Sequence, residues 1–203
     1  VEHIIPPEKP FCVPVVAACD VTNPLFGFDG AAYVFAPQKG ANTEQVELLD
    51  RGLYHMADVL KRDLNFDSEN LPGAGAAGGL GAGAAAFLNA ELRSGIDIVL
   101  DESGFDKLAA DADVVITGEG RFDSQSANGK VMSGVCRRAI KAGAKVYAVC
   151  GCASNDADPA ALGIEKLFVS SDGTHSTDEL QISCRRDLFD AVSVLAEEII
   201  KFD

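Results

Sequence analysis

The chain has 203 residues, 47% of them hydrophobic. That is enough to bury one or two cores, and a mean hydropathy of +0.11 argues against disorder. With 17 Lys and Arg against 31 Asp and Glu the net charge is -14, which opposes non-specific nucleic-acid binding and attachment to an anionic membrane. An acidic protein that handles an anionic substrate must concentrate its few cations locally, which draws attention to Lys39, Arg121 and Lys130. The six cysteines, Cys12, Cys19, Cys136, Cys150, Cys152 and Cys184, are scattered and mostly sit in apolar segments, as reduced thiols of a cytoplasmic protein do. Cys150-Gly151-Cys152 is too tight for a usual zinc pair, and no His cluster supports one. Nothing reads as a signal peptide or a transmembrane helix: the longest low-charge run, Leu71 to Ala90, is rich in Gly and Ala.

Val1 to Pro10 opens abruptly, with three prolines and no periodicity. Cys12 to Asp20 is β-rich, with Pro14 marking a strand start or an edge. It ends in Asp20-Val21-Thr22-Asn23-Pro24, where Pro24 disfavours helix at Asn23. An Asp at the carboxyl end of a strand is a common site geometry; an Asx cap of the turn is the alternative. Ala31 to Phe35 reads as a short second strand, and Ala36 to Ala41, with Gln38 and Lys39, as a loop. Asn42 or Thr43 caps a helix whose apolar face is Val46, Leu49, Leu53, Met56, Ala57 and Leu60, with His55 beside it.

The tract Leu71 to Gly83 is too glycine-dense for an ordinary helix. Either it packs so closely that only Gly and Ala fit, or its bare amides approach an anion. The expectation is a mixture, with Gly73 to Gly75 as loop and Ala76 to Leu88 as a tightly packed helix. No Lys-Ser/Thr follows, so it is not a Walker A loop, and no apolar strand precedes it. Beyond it come a strand at Gly95–Leu100, a helix at Ser103–Ala110 and a strand at Ala112–Thr117. A helix at Asn128–Lys141 and a strand at Lys145–Cys150 follow, then a polar loop at Gly151–Asp158. The chain closes with a strand at Lys166–Val169 and a helix at Arg185–Phe202, the latter with Leu188, Phe189, Val192, Leu195 and Ile199 on one face. Alternation of strand and helix from residue 96 predicts an α/β fold with a mostly parallel sheet.

The stretch carrying most chemistry is Gly118-Glu119-Gly120-Arg121-Phe122-Asp123-Ser124-Gln125, read as a glycine turn between a buried strand and a helix. Two carboxylates, a guanidinium and small polar groups serve no core. At the carboxyl end of a parallel strand they face a ligand crevice. With the loops at 20–23 and 37–40 they supply cations for phosphate and carboxylates for Mg²⁺ and a hydroxyl nucleophile. An α/β domain with polar loops and no activity is the competing reading.

Four segments carry a family resemblance: Cys19 to Leu25, Phe35 to Ala41, Leu71 to Gly81, and Ile116 to Gln125 with Gly129-Lys130. In order and spacing they resemble the glycerate kinase family, of the bacterial glycerate 2-kinase type. The resemblance covers essentially the whole chain, most loosely at 1–10 and 152–184. It implies ATP- and Mg²⁺-dependent phosphorylation of D-glycerate, at the 2-hydroxyl, by two α/β domains with the active site in the cleft between them. Residues 1–105 would then be part of an inserted α/β domain with the glycine-rich loop, and 106–203 a Rossmann-like or flavodoxin-like portion. By the same resemblance Asp20 is the candidate general base. Asn23, Gln38, Lys39, Gly73, Ala74, Gly75, Ala76, Arg121, Ser124 and Lys130 would bind substrate or phosphate, and Glu119 and Asp123 would bind substrate or Mg²⁺.

Family members are longer. The resemblance implies a missing amino-terminal part with an Asp-Ser-Phe-Lys-Gly stretch belonging to the active site and to the same sheet. The chain is then a kinase portion of low activity on its own, one half of a split kinase, or a non-catalytic ligand-binding or regulatory module. An uncovered sheet edge and apolar face would call for that part or for self-association.

Overall fold

The computed structural model describes residues 1–9, 11–127, 131–171, 173–174 and 176–200. They form two compact units, Val1–Gly95 and Ile96–Asp203.

In the first unit β1 (Val16–Ala18) pairs in parallel with β2 (Glu91–Arg93), Val16 opposite Glu91. The sequence reading did not foresee β2, which is three residues long and closely follows a helix. Between the two strands lie α1 (Ala31–Phe35), α2 (Thr43–Leu64) and α3 (Ala76–Leu88). The start of α2 is fixed by a reciprocal cap: Gln45 N–H donates to Asn42 Oδ1 at 2.9 Å, and Asn42 N–H to Gln45 Oε1 at 2.9 Å. Leu25, Ala74 and Ala82 form the core, with Phe26, Leu53, Ala57 and Leu71 packed around them.

Residues 31–35 are helix, not the expected strand. Tyr33, Val34 and Phe35 favour a strand locally, but propensity yields to packing. Ala31 and Ala32 are small enough to be buried between neighbouring helices, and Ala36 N–H donates to Ala32 O at 3.1 Å.

The second unit holds a three-stranded sheet of β3 (Val114–Phe122), β4 (Lys145–Ala153) and β5 (Ile164–Val169), in that order and all parallel. Helices cover both faces. On one side Met132, Cys136 and Ala139 of α6 (Val131–Ala142) pack with Val146, Ala148 and Cys150. On the other Leu195 of α7 (Thr177–Ile200) packs with Tyr147, Val149 and Phe168. Of the apolar face expected on α7, Leu195 is buried, while Leu188 and Phe189 stay exposed at 48% and 71%.

The expected strand at 95–100 is instead α4 (Gly95–Glu102), followed by α5 (Phe105–Ala110). Asp97 and Asp101 stand one helical turn apart and so share a face of α4. Both meet the guanidinium of Arg138 on α6, at 3.9 and 2.6 Å, and Asp106 of α5 meets it at 2.7 Å. The Arg138 side chain is 13% exposed. A half-buried cation with three carboxylates over it selects helix over strand for Ile96-Asp97-Ile98-Val99.

Candidate active site

The residues singled out in the sequence fall in both units. In the first, Asp20 follows β1 and is exposed, and its Oδ1 accepts a hydrogen bond from Gly95 N–H at 3.0 Å. The turn behind it is pressed against the glycine tract. Asn23 O accepts from Gly75 N–H at 3.0 Å, and Asn23 Nδ2 donates to Asp29 O at 2.8 Å. A Cβ at Gly73 would lie 2.8 Å from Cys19 Sγ. One at Gly75 would lie 2.1 Å from Pro24 O, and one at Gly81 2.1 Å from Gly73 O. Side chains larger than hydrogen do not fit at those approaches.

That packing settles the glycine tract in favour of close contact. The amides of Ala74, Gly75 and Ala76 donate within the fold, to Leu71 O, Asn23 O and Gly73 O, instead of facing outward as bare donors. Ala77, Gly78 and Gly79 are left-handed, with φ of 50°, 75° and 101°, so regular α3 geometry begins at Leu80. Gln38 and Lys39 sit on a single 3-10 turn, Pro37–Lys39, not in an open loop. Lys39 lines a groove of about 390 Å³ between α1 and α2 that also includes Gly78. The structure therefore joins Asn23 with the Gly73–Gly75 turn through a hydrogen bond and close contacts, and Lys39 with Gly78 across the groove, while Asp20 is held by the Gly95 amide.

In the second unit β3 runs on through Gly118 to Phe122, correcting the expected turn. Glu119 pairs in register with Cys150 and Arg121 with Cys152, so both are strand residues. The real turn is Asp123 to Ala127, closed by Ser126 N–H donating to Asp123 O at 2.9 Å and Asp123 N–H to Ser126 Oγ at 3.1 Å. Arg121 Nε stands 3.7 Å from Asp123 Oδ2. Glu119 Oε1 is buried and has no hydrogen-bond partner among the described residues. Burial pushes the thiols of Cys136 and Cys150 up to about 11, and the Glu119 carboxylate adds a smaller push in the same direction. Lys130 lies outside the described residues.

Two side chains that the sequence reading did not single out join this cluster. Ser154 and Asp156 follow β4, in the loop noted only as polar. Ser154 N–H donates to Phe122 O at 2.9 Å, and the Ser154 hydroxyl donates to the Asp156 carboxylate. That bond, with Arg121 nearby, holds the Asp156 carboxyl below its ordinary range. A polar residue after a parallel strand carried the signal, since that end of every strand faces the crevice.

A sequence profile described as the glycerate kinase family matches residues 8–200. The chain belongs to the glycerate kinase family. It is 48% identical over 150 residues to glycerate 2-kinase of Escherichia coli, covering 74% of this chain and 39% of that protein. To glycerate kinase of Bacillus cereus it is 53% identical over 127 residues, 63% of this chain and 33% of that one. The fold matches a crystal structure of a candidate glycerate kinase 2 from Salmonella typhimurium LT2, with a TM-score of 0.72 and 39% identity, over 93% of this chain and 49% of that one. The chain therefore spans 39% and 33% of the two curated glycerate kinases and about half of the solved one. Its α/β architecture with parallel sheets is that of the glycerate kinase it matches.

Kinases take Mg²⁺ with one or two protein carboxylates, and phosphates and water complete the shell. No cluster of three or more His, Cys, Asp or Glu able to hold a metal occurs among the described residues. Glu119 and Asp123 are carboxylates of the type such a site uses, and Glu119 has a buried oxygen with no hydrogen-bond partner among the described residues. Among the described residues no helix is long and apolar enough to cross a membrane.

Proposed function

We propose that this chain is the carboxy-terminal part of an ATP-dependent kinase that phosphorylates the 2-hydroxyl of D-glycerate, giving 2-phosphoglycerate. Together with the family membership, the observation that carries the reading is the exposed Asp20 carboxylate, one oxygen of which is fixed by the Gly95 amide. In this reading Asp20 takes the hydroxyl proton on its other oxygen as the nucleophile attacks the γ-phosphate. Arg121 holds the glycerate carboxylate in a two-pronged grip. Asn23, Gln38, Lys39, Ser124 and Lys130 bind substrate or phosphate, and the Gly73–Ala76 turn, whose Ala74, Gly75 and Ala76 amides are used within the fold, contributes by holding the Asn23 backbone. Mg²⁺, when bound, neutralises phosphate charge, and Glu119 and Asp123 would hold it. The glycine-rich part belongs to the inserted domain, and the part carrying the β3–β5 sheet to the Rossmann-like portion. Cytoplasmic location goes with a soluble metabolic kinase.

The test is an ATP and D-glycerate assay, with the product read by enolase coupling, which accepts 2-phosphoglycerate and not the 3-isomer. The 203-residue chain should turn over far more slowly than about 1 s⁻¹, the low end of ordinary enzymes. Co-expression with the amino-terminal segment of a longer relative should restore turnover. Turnover at the ordinary rate by the chain alone would refute the dependence on that segment, and none in the combined protein would refute the kinase reading.

A further inference from the structure

We propose that Asp50, on α2, is a positioning residue for Asn23: its carboxylate anchors the turn at Phe26–Asp29 that holds the Asn23 side chain. That Asn23 meets substrate rests on the kinase reading above; the placement itself does not.

The turn after Pro24 is closed locally by Gly30 N–H donating to Gly27 O at 2.8 Å and Ala31 N–H to Leu25 O at 3.3 Å. Gly27 is left-handed, with φ of 91°. Its own N–H leaves the turn and donates to Asp50 Oδ1 at 2.8 Å, across 23 residues of sequence. A carboxylate acceptor makes such a bond about twice as strong as one between neutral groups. Asp50 lies beyond the first turn of α2, so neither capping nor the helix dipole calls for an acid there.

The same face of α2 grips the turn a second time. Tyr54 stands one helical turn beyond Asp50. Its ring meets that of Phe26 edge-on, with centroids 5.0 Å apart and planes at 83°. Two successive residues, Phe26 and Gly27, are thus fixed by one helix, the first through its ring and the second through its amide.

The turn passes this placement on to Asn23. Asn23 Nδ2 donates to Asp29 O at 2.8 Å, which sets the side-chain amide with its nitrogen toward the turn. Asn23 O accepts from Gly75 N–H at 3.0 Å. The glycine tract therefore holds the Asn23 backbone, and the turn anchored by Asp50 holds its side chain.

The experiment is nuclear magnetic resonance on the ¹⁵N-labelled 203-residue chain, without ligand. Asp50→Ala removes the acceptor and keeps the helix, because alanine is the better helix former. It should move the Asn23 side-chain amide resonances and speed amide exchange at Gly27 by about tenfold, the worth of one charge-assisted hydrogen bond. Exchange at Val59, buried in the same helix, should change by less than about twofold. Asp50→Asn, which keeps a carbonyl acceptor, should recover part of the protection. Unchanged exchange at Gly27, or Asn23 resonances that stay in place, overturns the proposal. So does acceleration at Val59 equal to that at Gly27, which signals general loosening. In the kinase reconstituted with its amino-terminal segment, Asp50→Ala should raise KM for D-glycerate more than it lowers kcat. A lower kcat with KM unchanged would overturn the use of Asn23 in binding. No turnover by the unsubstituted reconstituted protein would count against the kinase reading and leave the role of Asp50 in the free chain standing.

Discussion

Gly95 N–H donates to Asp20 Oδ1 at 3.0 Å, across 75 residues of sequence. Gly95 opens α4, so its amide is one of the helix donors with no partner inside the helix, and Asp20 caps it from a distant turn. A Cβ on residue 95 would lie 3.0 Å from Asp20 Oδ1. Gly95→Ala therefore displaces the carboxylate by a few tenths of an ångström, at little cost, because an exposed side chain can give way. Urea unfolding should change by less than about 1 kcal/mol for Gly95→Ala. Asp20→Ala, which deletes the cap, should cost about 1 kcal/mol. In the kinase reconstituted with its amino-terminal segment, Gly95→Ala should lower kcat by roughly tenfold to a hundredfold. A Gly95→Ala protein with unchanged kcat would show that the orientation of Asp20 is not set by this contact.

The glycine tract separates two effects of one substitution. At Gly75 and Gly81 an added methyl meets backbone oxygens at 2.1 Å, which cannot rotate away. Gly75→Ala and Gly81→Ala should each destabilise by about 1–3 kcal/mol or more. At Gly83, inside α3, the nearest atom to a new Cβ is Phe87 Cδ2 at 4.0 Å. Gly83→Ala should stabilise by roughly 0.5–1 kcal/mol through helix propensity. Urea midpoints of the three variants decide it, and a stabilising Gly75→Ala would contradict the packing described.

What the sequence disclosed follows the range of the forces involved. The α2 cap is a contact between positions three apart, and both its partners are visible in Asn42-Thr43-Glu44-Gln45. The apolar runs of β4 and β5 announce buried parallel strands for the same local reason. The helix at 95–102 was misread because its cause is Arg138, some forty residues later, which no window around Ile96 contains. The segment 118–122 was read as a turn because two closely spaced glycines, Gly118 and Gly120, usually break a strand. Gly118 and Gly151 are there because the strands approach closely: a Cβ at 118 would lie 2.4 Å from Val149 O, and one at 151 would lie 2.5 Å from Gly120 O. Asp156 stayed hidden because a lone acid in a polar loop shows its meaning only once the fold brings a partner, the Ser154 hydroxyl, to it.

The Arg138 cluster predicts an acid limb to stability. Hydrogen bonding from Arg138, then its charge, holds the Asp106 carboxyl below its ordinary value. A carboxyl whose folded value is depressed contributes stability that is complete above the usual unfolded value of about 3.9 and is lost as pH falls through the folded value. Urea midpoints should therefore decline as pH drops below about 4. Arg138→Met should start lower at neutral pH, leaving Asp97, Asp101 and Asp106 facing one another, and should show a shallower acid decline. Parallel pH profiles for the two proteins would remove Arg138 as the cause.

Thiol reactivity should sort the cysteines by burial. Cys12 and Cys184 are exposed, Cys19 and Cys152 half-buried, and Cys136 and Cys150 buried in the core beneath the sheet. Desolvation pushes the last two to about 11, and the Glu119 carboxylate adds to it. At pH 7 roughly one in ten thousand of each is thiolate, the form that reacts. Alkylation followed by mass spectrometry should label Cys12 and Cys184 first. Cys136 and Cys150 should be labelled only once denaturant opens the second unit. Glu119→Gln removes the smallest upward cause at each, below burial at Cys136 and below burial and Cys152 at Cys150, so it should speed their labelling slightly in partly unfolding conditions without exposing them in the native protein. Labelling of Cys136 or Cys150 in the native chain as fast as Cys12 would mean that α6 does not seal this face of the sheet, and Glu119 would then sit in water instead of against a closed core.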